Sequence, residues 1–427
     1  MEISSLYEIF LKHPVVTSDS RAISDGCIFF GLKGPNFNGN TFALEALERG
    51  AAYAVVEDTS LLKHPNCMVV PNSLETLQAL GSYHRNHSKA TIISLTGSNG
   101  KTTTKELIYR VLSQKYKTIA TQGNLNNHIG VPLSLLRIEK STEFAIIEMG
   151  ANHQKEIAAL CEIAQPDFGC ITNFGKAHME GFGGVAGIIK GKSELYDYLI
   201  QQQKTILYND QDPIQVEKTK HYKNRISFGA NEDSSFKTTF INTKQATVSF
   251  AYEGVEIHTQ LYGDYNTQNC MIAAAIGSHY GVALSDIKKA IESYRPANNR
   301  SEIKAIGKHH IILDAYNANP SSMTAALQHF AKLQTKLPKL AILGDMFELG
   351  ETAIAEHQEV VKLLENSGLE RVILVGDLFG ATQHSFEHYS NFENLKKASP
   401  KIAPSNILIK GSRGMALERI LPLLGSE

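Results

Sequence analysis

Residues 96–106 read TGSNGKTTTKE. A glycine-rich turn that leads from a strand into a helix aims backbone N–H groups at an anion, at the positive end of the helix dipole. The flanking sequence supplies that context. ATIISLTG is an apolar strand pattern, and TTTKELIYRVLSQKY has helical spacing with Leu107, Ile108, Val111 and Leu112 on one face. Lys101 brings a full positive charge toward terminal phosphates, and the Thr102 hydroxyl is placed to ligate Mg²⁺. The loop is short, however. Only Ser98 and Asn99 separate Gly97 from Gly100-Lys101, where the common nucleotide loop has four residues. Thr96, Gly97, Ser98, Asn99, Gly100, Lys101, Thr102 and Thr103 are thus candidate nucleotide-binding residues. The loop specifies phosphates but no reaction.

Further chemistry-bearing residues fall at strand ends. Glu148 closes the run EFAIIEMG, where ligands sit in open α/β sheets. A carboxylate there suits Mg²⁺, which prefers oxygen ligands. His178 follows the strand ITNF in GKAHMEG, and Lys192 stands in IKGKSEL at an expected helix start. Taken singly, each also fits a structural role as a cap, a loop residue or a solvated cation.

These residues need a scaffold. A chain of 427 residues has room for two to four domains at roughly 100–200 residues each. Net charge is −1 without long single-sign runs, so neither an extended nucleic-acid surface nor a polybasic membrane anchor is expected. The cysteines, Cys27, Cys67, Cys161, Cys170 and Cys270, are odd in number and lack a CxxC pair, which points to reduced thiols. No apolar run reaches the ~18 residues of a membrane span, and MEISSLYEIF does not read as a signal peptide. A soluble cytoplasmic protein is expected.

Residues 1–88 read as a small α/β unit, with strands in GCIFFGL, AAYAVV and CMVVP and a helix SLETLQALGSYHRNH capped by Ser73. Residues 89–297 alternate strands and helices through EFAIIEMG, FGCITNF, TILYND and RISFG, predicting a mainly parallel doubly wound sheet. From about 233 to 262 the pattern switches to polar/apolar alternation, predicting an antiparallel meander, and an alanine-rich helix follows. ESYRPANNRSE breaks the pattern. Residues 298–427 then carry four apolar strands, HHIILDAY, KLAILGD, RVILVGD and NILIKG, as a third, Rossmann-like α/β domain.

Taken jointly, the chemical residues resemble the Mur ligases, the ATP-dependent amide-forming enzymes of peptidoglycan precursor synthesis. The resemblance spans essentially the whole chain. TGSNGKTTTKE matches the family's short loop, Glu148 in IIEMGAN its metal-binding glutamate, and His178 in ITNFGKAHMEGFG its second-metal histidine. Lys192 in IKGKSELY matches the lysine that is usually N6-carbamylated, with Lys190 as the neighbouring alternative. Asn269 matches the nucleotide-contacting asparagine, Arg300 the arginine that opens the last domain, and Asp314 and Asn317 lie in LDAYNANP. TSDSRAISDGCIFFGLKG resembles the family's uridine-nucleotide domain. QGNLNNHIGVPLSLL, YNANPSSM and LGDMFELGE point to the member that adds D-alanyl-D-alanine to a UDP-N-acetylmuramoyl-tripeptide. Two motifs depart from the family: Asn299 stands where many relatives have Gly before the Arg, and NGN at 38–40 replaces Asp-Gly-His.

The resemblance implies a monomer using ATP and two Mg²⁺ ions. It implies that Lys101 and the loop hold the phosphates, that Thr102 and Glu148 bind one Mg²⁺, and that His178 and carbamylated Lys192 bind the second. Asn269 would read adenine, while Arg300 and Asp314 would close onto the nucleotide. Ser20 and Arg21 would contact the UDP-sugar, Asn126 and Asn127 the muramoyl-peptide path, and Asn317 and Asn319 the dipeptide region. The rival readings are another Mur-type or folylpolyglutamate-type ligase, or a P-loop ATPase without synthetic activity.

Overall fold

The structure is a computed structural model that describes residues 2–241 and 247–425. Its strands form three main sheets, each drawn from one stretch of chain. A four-stranded parallel sheet uses Val16–Thr17, Ile28–Phe30, Tyr53–Val56 and Cys67–Val69. Helix Ile3–Lys12, not foreseen in the sequence, packs with it through Leu6 and Phe10.

The central sheet has nine strands. From one edge they run Thr118–Ala120, Phe144–Glu148, Thr91–Thr96, Phe168–Ile171, Thr205–Asn209, Arg225–Gly229 and Phe236–Ile241, all parallel to their neighbours. Thr247–Tyr252 and Val255–Tyr262 then add antiparallel, as the expected meander. Residues 242–246 lie outside the described residues. The three strands at the loop, Phe144–Glu148, Thr91–Thr96 and Phe168–Ile171, are buried on both faces, which explains their continuous apolar runs. Helix Lys101–Leu112 buries Leu107, Ile108, Val111 and Leu112 completely, and alanine-rich helix Tyr265–His279 packs against it.

The third sheet has six strands. The four expected ones, His309–Asp314, Asn406–Lys410, Lys339–Gly344 and Arg371–Val375, lie parallel at its centre. Two edge strands were not foreseen: Glu302–Ile306, antiparallel, and Glu387–Tyr389, parallel.

Two local expectations are corrected. The cap of helix Ser73–His87 is Asn72, whose side chain accepts from the N–H groups of Leu74 and Glu75. Ser73 is the first helical residue and is buried. Lys192 is not at a helix start but in the middle of helix Val185–Gln201, because Gly183 and Gly184, both at positive φ, set the start seven residues earlier.

Candidate active site

The loop strand Thr91–Thr96 lies between the Glu148 strand and Phe168–Ile171, with Leu95 opposite Glu148 and Thr96 opposite Ile171. That register brings three strand ends to one point, as the sheet-edge rule requires. Gly97 has φ +146°, and a Cβ there would collide with the Thr172 hydroxyl. The loop can therefore lie on the neighbouring strand only as glycine. Asn173 then pins it. The Asn173 carbonyl accepts from Ser98 N–H at 3.0 Å, its Oδ1 from Asn99 N–H at 3.1 Å, and its Nδ2 donates to Asn99 O at 3.0 Å. The first-turn amides of helix Lys101–Leu112 have no helical acceptors and face an anion site.

Lys101 folds back on the loop, donating to Gly97 O at 2.7 Å and Ser98 O at 3.3 Å. Burial pulls its pKa below the ordinary lysine value, with Glu148 opposing and Arg300 reinforcing that shift. A bound phosphate would supply the countercharge the loop carbonyls only partly replace. Glu148 is 1% exposed. Its Oε1 accepts from the Thr102 hydroxyl at 3.2 Å and from Asn126 Nδ2 at 2.8 Å, while its Oε2 is buried without a partner. An orphaned carboxylate oxygen beside a hydroxyl fits a hard cation.

Lys192 is fully buried. Its Nζ donates to Ala151 O at 3.2 Å and lies 4.8 Å from the centre of the Phe182 ring. Burial pushes its pKa well below the ordinary value, nearby Lys101 adds to this, and Glu156 and Glu194 oppose it. Lys190 is exposed, so of the two only Lys192 lies in a buried environment that disfavours its charged form. His178 adopts φ +54° and turns Nδ1 to a Glu348 carboxylate oxygen, leaving Nε2 for another partner. The His178 ring holds the Glu348 carboxyl below the usual carboxylate range. No three His, Cys, Asp or Glu side chains converge among the described residues, so a metal here would need mixed ligands.

The far wall comes from the third sheet. Arg300 stacks on Tyr316, with its guanidinium carbon 3.4 Å from the ring centre. Asn298, Asn299 and Ser301 around it all have positive φ. Asparagine tolerates that conformation, so Asn299 can hold it without being glycine. Asp314 accepts from Lys410 Nζ at 2.5 Å and from Ser301 N–H at 3.1 Å. Lys410 was missed in the sequence, although it ends a strand in register with Asp314. Asn319 caps helix Pro320–Lys332 through Ser322 N–H at 2.9 Å.

One cavity of about 1040 Å³ joins these walls. Ser98 to Thr103, Asn126, Asn127, Glu148, His178, Asn269, Arg300, Asp314, Asn317 and Asn319 all line it. Thr96 and Gly97 lie beneath the loop, and Lys192 sits behind Ala151, which does line the cavity. Ser20 and Arg21 are not among its lining residues; the Arg21 side chain is 88% exposed and pairs with Asp19 at 2.8 Å. Two amides are committed elsewhere. Asn127 Oδ1 accepts from the N–H groups of Ile129 and Gly130. Asn269 accepts from Thr104 at 3.0 Å and donates to Asn266 at 2.8 Å, directly under Gly100. Asn269 thus supports the loop from below while still lining the cavity.

Comparison with known proteins adds an independent line. Residues 95–277 match the Mur ligase middle domain, and residues 299–413 match the Mur ligase glutamate ligase domain. The UDP-N-acetylmuramoyl-tripeptide–D-alanyl-D-alanine ligase of Bacillus subtilis is 34% identical, over 97% of this chain and 93% of that protein. The crystal structure of MurF from Acinetobacter baumannii superposes with a TM-score of 0.85 at 31% identity, over 96% of this chain and 93% of that one. MurF ligase of Thermotoga maritima in complex with ADP superposes with the same TM-score, 0.85, at 26% identity, over 98% of both chains.

Proposed function

The chain belongs to the Mur ligase family, and on that premise we propose that it uses ATP to join D-alanyl-D-alanine to a UDP-N-acetylmuramoyl-tripeptide. The observation that carries the reading is the single cavity shared by the phosphate loop and the third sheet. It lets a nucleotide and two organic substrates meet out of bulk water. The three stretches 1–88, 89–297 and 298–427 then serve the UDP-sugar, ATP and the incoming amine respectively. We place the enzyme in the cytoplasm as a monomer; no helix among the described residues is long and apolar enough to cross a membrane.

A carboxylate is a poor electrophile. Transfer of the terminal phosphoryl group of ATP to the tripeptide carboxylate gives an acyl phosphate with a good leaving group. The amine of the dipeptide then attacks the acyl carbon, and phosphate departs. Catalysis is mainly positioning and neutralisation of charge. The loop N–H groups and Lys101 hold the phosphates. Asn126 orients Glu148, and Arg300 and Asp314 close the nucleotide side of the cavity. Asn317 and Asn319 lie on the dipeptide side, Asn127 shapes the muramoyl-peptide path, and Ser20 and Arg21 meet the UDP-sugar. The site fits Mg²⁺: Thr102 and Glu148 would hold one ion, and His178 and N6-carbamylated Lys192 a second. Carbamylation fits Lys192 because burial disfavours its ammonium form, and the amine left by loss of that proton can take up CO₂, releasing a second proton, to become an anionic oxygen ligand. Mg²⁺ supplies neutralisation of phosphate charge when bound.

Phosphate release, measured across a matrix of UDP-muramoyl peptides and amines, tests the reading. Release should require both the UDP-tripeptide and D-alanyl-D-alanine. Turnover with a single amino acid but not the dipeptide would sink the substrate assignment. ATP hydrolysis with neither organic substrate would point to a simple ATPase.

A further inference from the structure

The two residues that fill the short loop, Ser98 and Asn99, do different things. Ser98 donates to Gly175 O at 2.6 Å. Asn99 is fixed at its backbone by Thr172 and Asn173, and its side chain leaves the loop. Its Oδ1 accepts from Asn319 Nδ2 at 2.7 Å. Asn319 is itself immobilised. Its Oδ1 caps helix Pro320–Lys332 and its N–H donates to Ser322 Oγ at 3.1 Å, so Nδ2 is the group it spends across the cavity. The next residue reinforces the junction: Lys176 N–H donates to Ser321 Oγ at 2.8 Å. Gly175 lies between the two, and a Cβ there would stand 2.7 Å from the Asn99 side chain and 3.1 Å from that of Ser321. Loop, 172–176 segment and helix N-terminus therefore meet at one packed point, where a shift of one displaces the others.

From this junction we infer that Asn99 and Asn319 are a positioning pair: their hydrogen bond sets the incoming amine against the acyl phosphate formed at the loop. The inference rests on the ligase reading above. With the bond in place, the third sheet docks in step with the phosphate loop, and the amine reaches the acyl carbon before water does. Without it, water takes the amine's place. Its oxygen bonds to the acyl carbon, the bond from that carbon to the phosphate oxygen breaks, and carboxylate and phosphate are released without amide.

Three variants separate positioning from mere capping. Asn319→Ser keeps a good cap residue but is too short to reach Asn99. Asn319→Asp keeps both cap and length, and Asn99 can turn its amide over to donate to the carboxylate. Asn99→Ala removes the acceptor. The readout is phosphate released per amide formed, with kcat and KM for ATP. In the unmodified enzyme the ratio should be one to one. Asn319→Ser and Asn99→Ala should each lower amide kcat roughly tenfold, raise the ratio above one, and leave KM for ATP within about twofold. The double variant should be no worse than either single one, because one contact is lost. Asn319→Asp should recover most of the coupling. Equal behaviour of the Ser and Asp variants, or a ratio that stays at one in Asn319→Ser, would overturn the inference while leaving the ligase reading intact. Absence of amide in the unmodified enzyme would instead overturn the ligase reading.

Discussion

Two lysines two residues apart show what decides function at the scale of a side chain. Lys190 is solvated, whereas Lys192 is sealed under Ala151 and Phe182 with its charge disfavoured. Burial disfavours the ammonium form of Lys192, and a carbamate there would be shielded from water. On the proposed role of Lys192 as a metal-ligand position, Lys192→Ala should lower amide formation on the order of a hundredfold or more. Short carboxylic acids such as acetate should restore part of the rate by supplying the missing oxygens. Acetate rescue measured against chloride at equal ionic strength checks this, and an unimpaired variant would remove Lys192 from the mechanism. Residue types and spacing made Glu148, Lys101 and Lys192 legible as candidates. Which polar atoms remain free was not legible. Asn269 bonds Asn266 in its own helix and also Thr104, a partner that tertiary packing brings from 165 residues away in sequence.

Element boundaries follow local chemistry that a sequence pattern only partly discloses. The central strands were readable because burial on both faces forces continuous apolar runs. Edge strands such as Glu302–Ile306 have a mixed, half-exposed pattern and gave no such signal. At helix Ser73–His87 the sequence NS offers two adjacent cap residues, and only backbone geometry chooses. Asn72 is extended, at φ −148° and ψ 112°, and takes two N–H groups. Ser73 is helical, and its hydroxyl is buried without a partner. Asn72→Ala should cost about 1 kcal/mol of stability in that unit. Ser73→Ala should be neutral or stabilising, because it deletes an unsatisfied group and keeps the backbone bond to Glu57. Urea unfolding of the two variants decides; destabilisation by Ser73→Ala with an unaffected Asn72→Ala would reverse the assignment.

Across the whole molecule, the third sheet docks on the central one through an apolar cluster that continues across both units and through a set of polar contacts at its border. The polar contacts include Asn319 with Asn99, Glu348 with His178, Lys176 with Ser321, Tyr265 with Ser301, and Lys176 with Glu356 at 2.7 Å, and the His329 ring stands against Tyr262 at 4.7 Å. The polar contacts are partly solvated, so each adds little to the docking that the apolar cluster supplies, and substrates bound between the walls can bias it. The Lys176–Glu356 pair illustrates the balance. Lys176 is nearly half exposed, which limits the pair to about 1 kcal/mol or less, up to roughly fivefold in the docked-to-undocked ratio, and salt reduces it further. Lys176→Ala should then enlarge the radius of gyration of the ligand-free protein in low-salt X-ray scattering. A non-hydrolysable ATP analogue with the UDP-tripeptide should return variant and unmodified protein to the same compact value, because ligands that bridge both walls stabilise the docked state by mass action. The difference between the ligand-free proteins should shrink as salt is added. An unchanged radius in the ligand-free variant would show that the pair does not carry docking. A variant that stays expanded with ligands bound would show that the cavity walls are held together by this ion pair and not by the substrates between them.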